Sequence, residues 1–308
     1  MHTQVLILGS GPAGYSAGLY TSLAGLDTVL LTGKNIGGQL TLTNEIENYP
    51  GFLIGKGIEL MDIFQKQIIQ SGVRILYEQA IHTDLKQKPF YTRTDTGTEI
   101  TADTIIIATG NSARWLNLPT EKQFIGRGIS ICATCDGFFY KNKIVSVIGG
   151  GNTAGYEALY LAQTAQVVYL IYRENTFQAE KNITKKINKN PKIQQIANHT
   201  VLSFSGKDKL EKITIQHTQT KKTQDIYTSG VFEAIGHIPN SQLFQGQLDI
   251  DSDGYIITDS KTFQTSCQGI FACGDIQSFP YRQAIIAAGT GCIAALSAKK
   301  YLLATLKN

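Results

Sequence analysis

The 308-residue chain has few of the features that mark secreted, membrane-bound or nucleic-acid-binding proteins. Its five cysteines are an odd number with only one closely spaced pair, so it is not a secreted disulfide scaffold. No apolar run approaches the roughly 18 residues that a membrane-spanning helix requires. The net charge of +4 is not clustered, which argues against a nucleic-acid ligand. Because no basic segment with a cleavable apolar run opens the chain, we expect a cytoplasmic protein without membrane or nucleic-acid partners.

The composition is that of an ordinary globular protein, with 42% hydrophobic and 17% charged residues, and the length predicts two domains. Apolar strand-like runs alternate with segments long enough to be helices. Strands that are apolar throughout are typical of parallel sheets covered by helices on both faces. The sequence therefore predicts an α/β fold with three-layer, Rossmann-like domains. The apolar runs are Val5 to Leu8, Val29 to Leu31, Ile105 to Ala108, Ile144 to Ile148 and Val167 to Ile171.

Two glycine-rich turns, residues 9–14 and 149–154, each follow an apolar run and precede a helical segment. The first has the G-x-G-x-x-G pattern and the second its G-x-G-x-x-A variant. The glycines allow a tight turn and close backbone approach, so that a pyrophosphate can bind at the N-terminus of the helix. Two such motifs in this context predict two nucleotide sites. The candidate cofactor-binding residues are Gly9, Ser10, Gly11, Pro12, Ala13 and Gly14 in the first turn, and Gly149, Gly151, Asn152, Thr153 and Ala154 in the second.

Apolar runs that end in an Ala-x-Gly sequence recur along the chain and suggest how the two domains are connected. One such run, 108–110, follows the first glycine turn, and another, 234–236, follows the second. A third, 272–275, has no glycine turn of its own before it, so we expect it to complete the first domain. The sequence thus predicts that the second domain is inserted into the first: residues 1–113 and 243–308 form one domain, and residues 114–242 form the other.

Cys132 and Cys135 form the one C-x-x-C motif of the chain. Such a pair is sometimes half of a zinc site, but a structural site needs four ligands and no second pair is present, so we expect no metal. The remaining cysteines are widely spaced among small or apolar residues and are expected to be inert. A redox pair requires one thiolate that attacks a disulfide and a second that resolves the product. Asp136, the next residue, is a candidate proton donor or acceptor for these thiols.

The segment from Cys132 to Tyr140 resembles the active-site segment of the low-molecular-weight, bacterial-type thioredoxin reductases. The likeness extends over nearly the whole chain, and its motifs occur in the family's order. The matching segments are Gly37 to Leu40, Glu47 to Gly51, Gly149 to Ala154, Ala234 to His237, Gly274-Asp275, Tyr281 to Ala284 and Ala288 to Cys292.

This resemblance implies a homodimeric, two-domain flavoprotein that binds FAD in the first domain and a pyridine nucleotide in the second. It implies that Cys135 faces the flavin, that Cys132 attacks thioredoxin or a thioredoxin-like partner, and that Asp136 is the acid–base group. The other residues that it assigns to the FAD site are Thr32, Gly33, Gly37, Gly38, Gln39, Asn48, Gly274, Asp275, Arg282, Gln283 and Ala284.

The sequence departs from the family pattern where the nucleotide 2′-phosphate binds. NADPH-using members have three arginines in this stretch, whereas Arg173 is the one arginine that remains here and Glu174 follows it. An acidic residue about 20 positions beyond a glycine turn is typical of NAD sites, in which it accepts a hydrogen bond from the ribose 2′-OH. We therefore expect no strong preference for NADPH. In the alternative interpretation, Arg173 still holds NADPH with the help of Lys181, Lys185 and Lys186.

The leading hypothesis is a thioredoxin-disulfide reductase that passes electrons from NADPH or NADH through FAD and the cysteine pair. Two other enzymes fit the same motifs: a flavin-dependent dithiol oxidase, and a thioredoxin reductase that uses a different electron donor. A binding protein with a structural flavin is a further hypothesis, but it would not require both cysteines and Asp136.

Overall fold

The computed structural model describes residues 1–43, 46–278 and 281–305. The chain forms two compact units: Met1–Ser112 together with the chain from Ile238 onward, and Ala113–His237. Residues 238–242, which the sequence prediction assigned to the second domain, belong to the first unit, and Ala113, which it assigned to the first domain, begins the second unit. Phe244 is fully buried there among the side chains that cover one face of the sheet. None of the described helices combines the length and the apolar character that a membrane span requires.

In the described residues, helices alternate with strands around the two glycine-rich turns, and runs of consecutive strands make up much of the rest. The α-helices are Pro12–Leu23 (α1), Gly57–Gln70 (α2), Ala133–Asp136 (α3), Asn152–Leu161 (α4), Lys181–Lys189 (α5) and Ala284–Thr305 (α6). The strands are His2–Leu8 (β1), Thr28–Leu31 (β2), Arg74–Leu76 (β3), Ala80–Asp84 (β4), Phe90–Thr94 (β5), Glu99–Ile107 (β6), Asn111–Ala113 (β7), Ile129–Ser130 (β8), Ile144–Ile148 (β9), Val167–Ile171 (β10), Ile193–Ile196 (β11), His199–Ser205 (β12), Lys212–His217 (β13), Thr223–Tyr227 (β14), Gly230–Glu233 (β15), His237–Pro239 (β16) and Ile270–Ala272 (β17). Short 3-10 turns lie at Gly38–Leu42, Gly137–Tyr140, Gln242–Phe244 and Gly274–Ile276.

The first unit is built on a sheet with the order β3-β2-β1-β6-β5-β4, and β17 also pairs with β6. Strand β1 is parallel to β2 and β6, with Ile7 opposite Leu30 on one side and Ile106 on the other. Its apolar residues alternate between the two faces. Val5 and Ile7 pack into one core and Leu6 and Leu8 into the other, because each face of the sheet is covered. The sheet is completed by β17, which follows the second unit in the chain.

The second unit contains a parallel sheet with the order β11-β10-β9-β15-β8 and a separate antiparallel sheet, β12-β13-β14. Helix α4 packs on β9 through Ala154 and Ala158, which are fully buried with Val145 and Val147. The two segments at which the chain crosses between the units, β7 and β16, pair with each other. The predicted α/β fold, with a Rossmann-like parallel sheet in each unit, is confirmed.

Candidate active site

The first glycine turn joins β1 to α1, and its backbone geometry requires glycine at two positions. Gly9 has φ +114°, and a Cβ on it would lie 2.2 Å from the Ala108 carbonyl oxygen. A Cβ on Gly14 would lie 1.9 Å from the carbonyl oxygen of Gly9. Neither position can carry a side chain unless the backbone moves. The turn is therefore held in one tight conformation against the end of β6.

The same turn leaves room for a ligand at the N-terminus of α1. A Cβ on Gly11 would have no atom within 4 Å, so the space beside it is open. Gly11 caps the helix without a side-chain hydrogen bond, and Pro12 occupies the first helical position. The first backbone amides of a helix have no partner within the helix, and the helix dipole favours an anion there. The turn thus has the shape and polarity that a pyrophosphate needs.

Residues 32–39 lie beside the first glycine turn because Ser10 connects the two segments. The buried Ser10 hydroxyl donates to the Thr32 carbonyl oxygen at 2.8 Å and accepts from the Gly37 amide at 3.0 Å. A Cβ on Gly38 would lie 3.1 Å from the Gly11 Cα, so these two glycines approach closely. Gly33 has φ +70°. Beyond them, Gln39 donates to the Asn111 side-chain oxygen at 2.6 Å.

Segments from the C-terminal part of the chain also reach this turn. Gly274, with φ +73°, packs so tightly on α1 that a Cβ on it would lie 2.8 Å from the Ala13 Cβ. The Gly274 amide donates to the Thr290 hydroxyl of α6 at 2.8 Å. Burial raises the pKa of Asp275 to about 6, an effect that the Arg282 charge partly offsets. The structure thus brings Asp275 and the first glycine turn into one unit.

The remaining residues predicted for this site lie in the same unit as Asp275. The Arg282 guanidinium stacks 5.1 Å from the centre of the Tyr255 ring and donates to its hydroxyl. Asn48 donates to the Gln283 side chain at 3.3 Å, and Ala284 is the first residue of α6. Sequence reasoning did not assign Tyr255 or Thr290 to the site. Thr290 lies within the matching segment Ala288 to Cys292, whereas nothing in the local sequence of Tyr255 distinguishes it from other loop residues.

The second glycine turn joins β9 to α4 and repeats the geometry of the first. Gly149 has φ +149°, and a Cβ on it would lie 2.3 Å from the Ala234 carbonyl oxygen. A Cβ on Gly151 would have no atom within 4 Å, and this residue caps α4 without a side-chain hydrogen bond. Ala154 is fully buried in the core below the turn. This turn also has the shape of a dinucleotide site.

The segment after β10 passes directly over the second turn. A Cβ on Gly150 would lie 3.4 Å from the Glu174 Oε2, and the Gln178 amide donates to the Gly150 carbonyl oxygen at 2.7 Å. Arg173 is the nearby cation, and its Nε donates to the Glu174 Oε1 at 2.7 Å. At the start of α4, Asn152 exchanges two hydrogen bonds with Glu180. Two carboxylates therefore lie at this turn.

The helix that follows, α5, is amphipathic. Ile183 and Ile187 face the core of the second unit, whereas Lys181, Lys185 and Lys186 are exposed to solvent. Such a distribution is typical of the solvated face of a surface helix. Lys181 and Lys185 also line an open cavity on this face, so these lysines stay part of the alternative interpretation in which they help to hold a 2′-phosphate.

Cys132 and Cys135 form a disulfide with a Cα–Cα distance of 5.3 Å. Cys132 precedes α3, and its amide donates to the Ser130 hydroxyl at 3.1 Å, while the Asp136 amide donates to the Cys132 carbonyl oxygen at 3.1 Å. Both cysteines are partly exposed, as a sulfur that attacks another protein must be. Cys267, Cys273 and Cys292 are free thiols, and burial raises the pKa of Cys273 to about 12, which keeps that thiol unreactive.

Asp136 is held in a partly buried position next to the disulfide. Burial raises the pKa of its carboxyl above the ordinary value, and a hydrogen bond with the Ser130 side chain partly offsets this effect. Burial and the Asp136 charge raise the pKa of Tyr140 to about 12, so this phenol stays protonated. A carboxyl with a raised pKa exchanges protons near neutral pH better than one in water. No cluster of three or more metal-ligating side chains occurs among the described residues.

Comparisons with known proteins agree with this geometry. The pyridine nucleotide-disulphide oxidoreductase family matches residues 3–291. The chain is 48% identical to the thioredoxin reductase of Rickettsia felis, covering 97% of this chain and 98% of the relative. It is 43% identical to that of Coxiella burnetii, covering 98% and 97%. Among solved structures, thioredoxin reductase from Giardia duodenalis superposes with a TM-score of 0.94 at 36% identity, covering 98% of this chain and 99% of that one.

The chain therefore belongs to the thioredoxin reductases within the pyridine nucleotide-disulphide oxidoreductase family. The resemblance drawn from residues 132–140 and the other motifs is confirmed. Membership implies a flavin and a pyridine nucleotide. It does not by itself specify which pyridine nucleotide is used.

Proposed function

We propose that the protein is a thioredoxin-disulfide reductase that uses FAD and a pyridine nucleotide. The observation that carries the proposal is the disulfide between Cys132 and Cys135, which lies in the same unit as the second glycine turn. Asp136 follows the pair and has a raised pKa. The relatives that match nearly the full chain are named thioredoxin reductases.

The first glycine turn and the segments around it fit FAD. The open space at Gly11, the uncapped N-terminus of α1 and the segment held by Ser10 would bind the pyrophosphate. Asp275 and Arg282 would supply polar contacts beside it. When bound, FAD supplies two-electron transfer between a nicotinamide and a disulfide. The other residues of the predicted site are Gly9, Pro12, Ala13, Gly14, Thr32, Gly33, Gly37, Gly38, Gln39, Asn48, Gly274, Gln283 and Ala284.

The protein's own sulfurs carry out the exchange with thioredoxin. In the dithiol form, the Cys132 thiolate attacks one sulfur of the thioredoxin disulfide, and the other sulfur leaves as a thiolate. Cys135 then attacks the Cys132 sulfur, which restores the internal disulfide and releases the second thioredoxin thiolate. Asp136 provides the proton that a leaving thiolate takes up. Two thiols of the enzyme are oxidised while one disulfide of thioredoxin is reduced.

The second glycine turn is the proposed pyridine nucleotide site, formed by Gly149, Gly151 and the first turn of α4, including Thr153. We propose that it favours NADH or uses both nucleotides poorly. The Glu174 carboxylate beside Gly150 is placed to accept a hydrogen bond from a ribose 2′-OH, and it would repel a 2′-phosphate. Arg173, the nearby cation, is already paired with Glu174.

The redox pair is tested by Cys132→Ser and Cys135→Ser, with Cys267→Ser as a control on a partly exposed free thiol. Each substitution in the pair should abolish reduction of thioredoxin, because a dithiol relay cannot operate with one sulfur. Reduction of the flavin by the nicotinamide, followed by anaerobic absorbance, should persist in both variants. The Cys267 variant should turn over like the native enzyme. Near-native turnover in either single-cysteine variant of the pair would refute the relay.

We further propose a cytoplasmic homodimer, as the resemblance to this family implies. Light scattering coupled to size-exclusion chromatography of the flavin-loaded protein should give twice the chain mass of 33.7 kDa. A monomer that retains full activity would remove the dimer from the proposal.

A further inference from the structure

A second carboxyl group, Glu157, lies behind the redox disulfide in the same unit. Glu157 is on α4, and this helix packs directly against the active-site segment: Ala133 is buried with Ala154, Ala158 and Leu161. A Cβ on Gly137 would lie 3.1 Å from the Leu161 side chain. Nothing in the proposed mechanism above uses Glu157.

The Glu157 carboxyl is removed from solvent, and its hydrogen bonds within the protein do not fully replace those it would make with water. Its Oε2 is buried without a hydrogen-bond partner among the described residues. The backbone amide of Ala133, which lies between the two cysteines in sequence, forms a hydrogen bond with the carboxyl. The Asp136 charge acts on it from α3. A buried polar atom without a partner costs free energy, so its presence beside a redox centre calls for an explanation.

Burial and the nearby Asp136 charge together determine the protonation of Glu157. Burial is the larger effect and the Asp136 charge adds to it, so that the pKa of Glu157 rises to about 8, although the Ala133 amide lowers it somewhat. Glu157 therefore keeps its proton at neutral pH. The other titratable groups around Asp136 are the two thiols of the reduced pair and Tyr140, whose pKa of about 12 removes it from this range.

We propose that Glu157 is a second proton-carrying carboxyl of the redox centre, which acts through Asp136 and does not itself contact the sulfurs. This inference rests on the proposed disulfide reductase function. It makes Glu157 a positioning and proton-holding residue, while the sulfurs and Asp136 remain the reacting groups.

The proton balance of the reaction requires one proton from solution in each turnover, which Glu157 can supply. Reduction of the Cys132–Cys135 disulfide to two thiols consumes two electrons and two protons, whereas the hydride equivalent from the nicotinamide carries two electrons and one proton. The second proton comes from solution in each turnover. Asp136 delivers it to a sulfur, and Glu157, which is protonated at neutral pH, returns a proton to Asp136 and is then reprotonated from solvent. Exchange with thioredoxin moves both protons to the new thiols and needs no further proton.

The test is Glu157→Gln, which keeps the size and polarity of the side chain and removes its exchangeable carboxyl proton. Thioredoxin turnover at pH 7 should fall about tenfold, less than the roughly hundredfold that loss of a direct acid–base group typically costs. In the native enzyme, turnover should decline as the pH rises through about 8, where Glu157 loses its proton. That decline should be absent from the variant's profile. Glu157→Asp, which restores a carboxyl, should recover part of the activity and the decline.

A second measurement does not depend on turnover or on thioredoxin. The enzyme is reduced with dithiothreitol, and alkylation of Cys132 and Cys135 by iodoacetamide is followed against pH by mass spectrometry. Because Glu157 ionises near pH 8 and its charge then disfavours a nearby thiolate, the two proteins should be alkylated alike below that pH, and above it the curve of the Gln variant should be shifted to lower pH. Failure of the proposed function would appear instead as absent thioredoxin turnover in the native enzyme, with the alkylation shift unaffected.

Glu233→Gln is the matched control, because Glu233 is also a glutamate of the second unit with a raised pKa, one backbone-amide donor and one buried oxygen without a partner among the described residues, but its neighbour is Glu121 instead of the redox segment. It should change neither the pH profile nor the alkylation curve. If Glu157→Gln leaves both curves as in the native enzyme, or if the Glu233 variant shifts them equally, the inference is overturned.

Discussion

The two glycine turns have nearly the same backbone and very different surroundings. Both place a glycine with positive φ against the end of a neighbouring strand, and both leave open space at the helix N-terminus. Beside the first turn, Ser10 connects to neutral backbone at Thr32 and Gly37. Beside the second turn, the position of Ser10 is taken by Gly150, and a carboxylate from Glu174 lies next to it. We therefore expect the turn to provide a general dinucleotide site, and the residues that follow β2 and β10 to select the ligand.

The turns also differ in how tightly the helix approaches. Gly14 closes the first turn, with no room for a Cβ, whereas the equivalent residue of the second turn is Ala154, whose methyl group is buried in the core. The same loop pattern therefore tolerates a methyl group in one unit and excludes it in the other. Sequence-motif matching alone treats the two patterns as equivalent.

The largest effect is expected from Gly14→Ala. The added Cβ would lie 1.9 Å from the Gly9 carbonyl oxygen, so the turn must open and the proposed FAD site should be lost. The purified protein should lack the visible absorbance of a flavin and should not recover it when FAD is added. Far-UV circular dichroism would establish that the variant remains folded.

The reverse change in the second turn, Ala154→Gly, is the matched control for that experiment. It should retain the flavin and lose roughly 0.5–1 kcal/mol of stability, the usual cost of glycine in a helix. A yellow Gly14→Ala protein with native flavin content would show that the two turns are equally tolerant, and the comparison would not hold.

A smaller but measurable effect is expected when the second turn is given cationic side chains. We predict that the native enzyme does not strongly prefer NADPH, and that Glu174→Arg with Gln178→Arg raises its kcat/KM for NADPH relative to NADH by about tenfold or more. Each arginine–phosphate contact contributes roughly 1.5–3 kcal/mol, and about 1.4 kcal/mol corresponds to a tenfold change. The measurement is kcat/KM with each nucleotide.

Glu211→Arg, a charge reversal at an exposed position of the same unit, controls for a general change in charge. It should leave the ratio unchanged. A native preference for NADPH above about tenfold, or no shift in the double variant, would mean that Glu174 does not select the nucleotide.

The smallest effect concerns a buried carboxyl pair of the second unit, Glu121 and Glu233, which share the Leu116 amide. Burial, followed by the neighbouring Glu121, raises the pKa of Glu233 from 4.5 to about 9. The folded state then holds a proton that the unfolded state has released, so stability falls as the pH rises between these two values. In Glu233→Gln this loss should be absent.

The melting temperature of Glu233→Gln should therefore match that of the native protein near pH 5 and exceed it near pH 9. Each kcal/mol corresponds to about 2–4 °C for a protein of this size class. Scanning calorimetry of both proteins across this range provides the measurement. If the difference between the two melting temperatures did not change with pH, Glu233 would not be the group that holds the proton.

The local sequence determined most of the fold and the two glycine turns. Runs such as Val5 to Leu8 predict buried parallel strands because both faces of the sheet need apolar side chains. The glycines are recognisable because backbone sterics act over a few residues. The C-x-x-C pair and Asp136 are likewise neighbours in sequence, so their grouping required no tertiary information.

Tertiary structure decided what surrounds those motifs. Glu157 lies 22 positions after Cys135 in sequence and comes beside the redox pair because α4 packs on α3. Thr290 reaches Gly274, and Phe244 enters the core of the first unit, through packing that no local pattern encodes. Burial also raises the pKa of Glu157, Glu233 and Asp275, since desolvation depends on every element packed around a side chain. The physical reason is the distance along the chain over which each effect acts. Backbone conformation and hydrophobic periodicity depend on residues close in sequence, whereas desolvation and side-chain contacts depend on the whole packed unit.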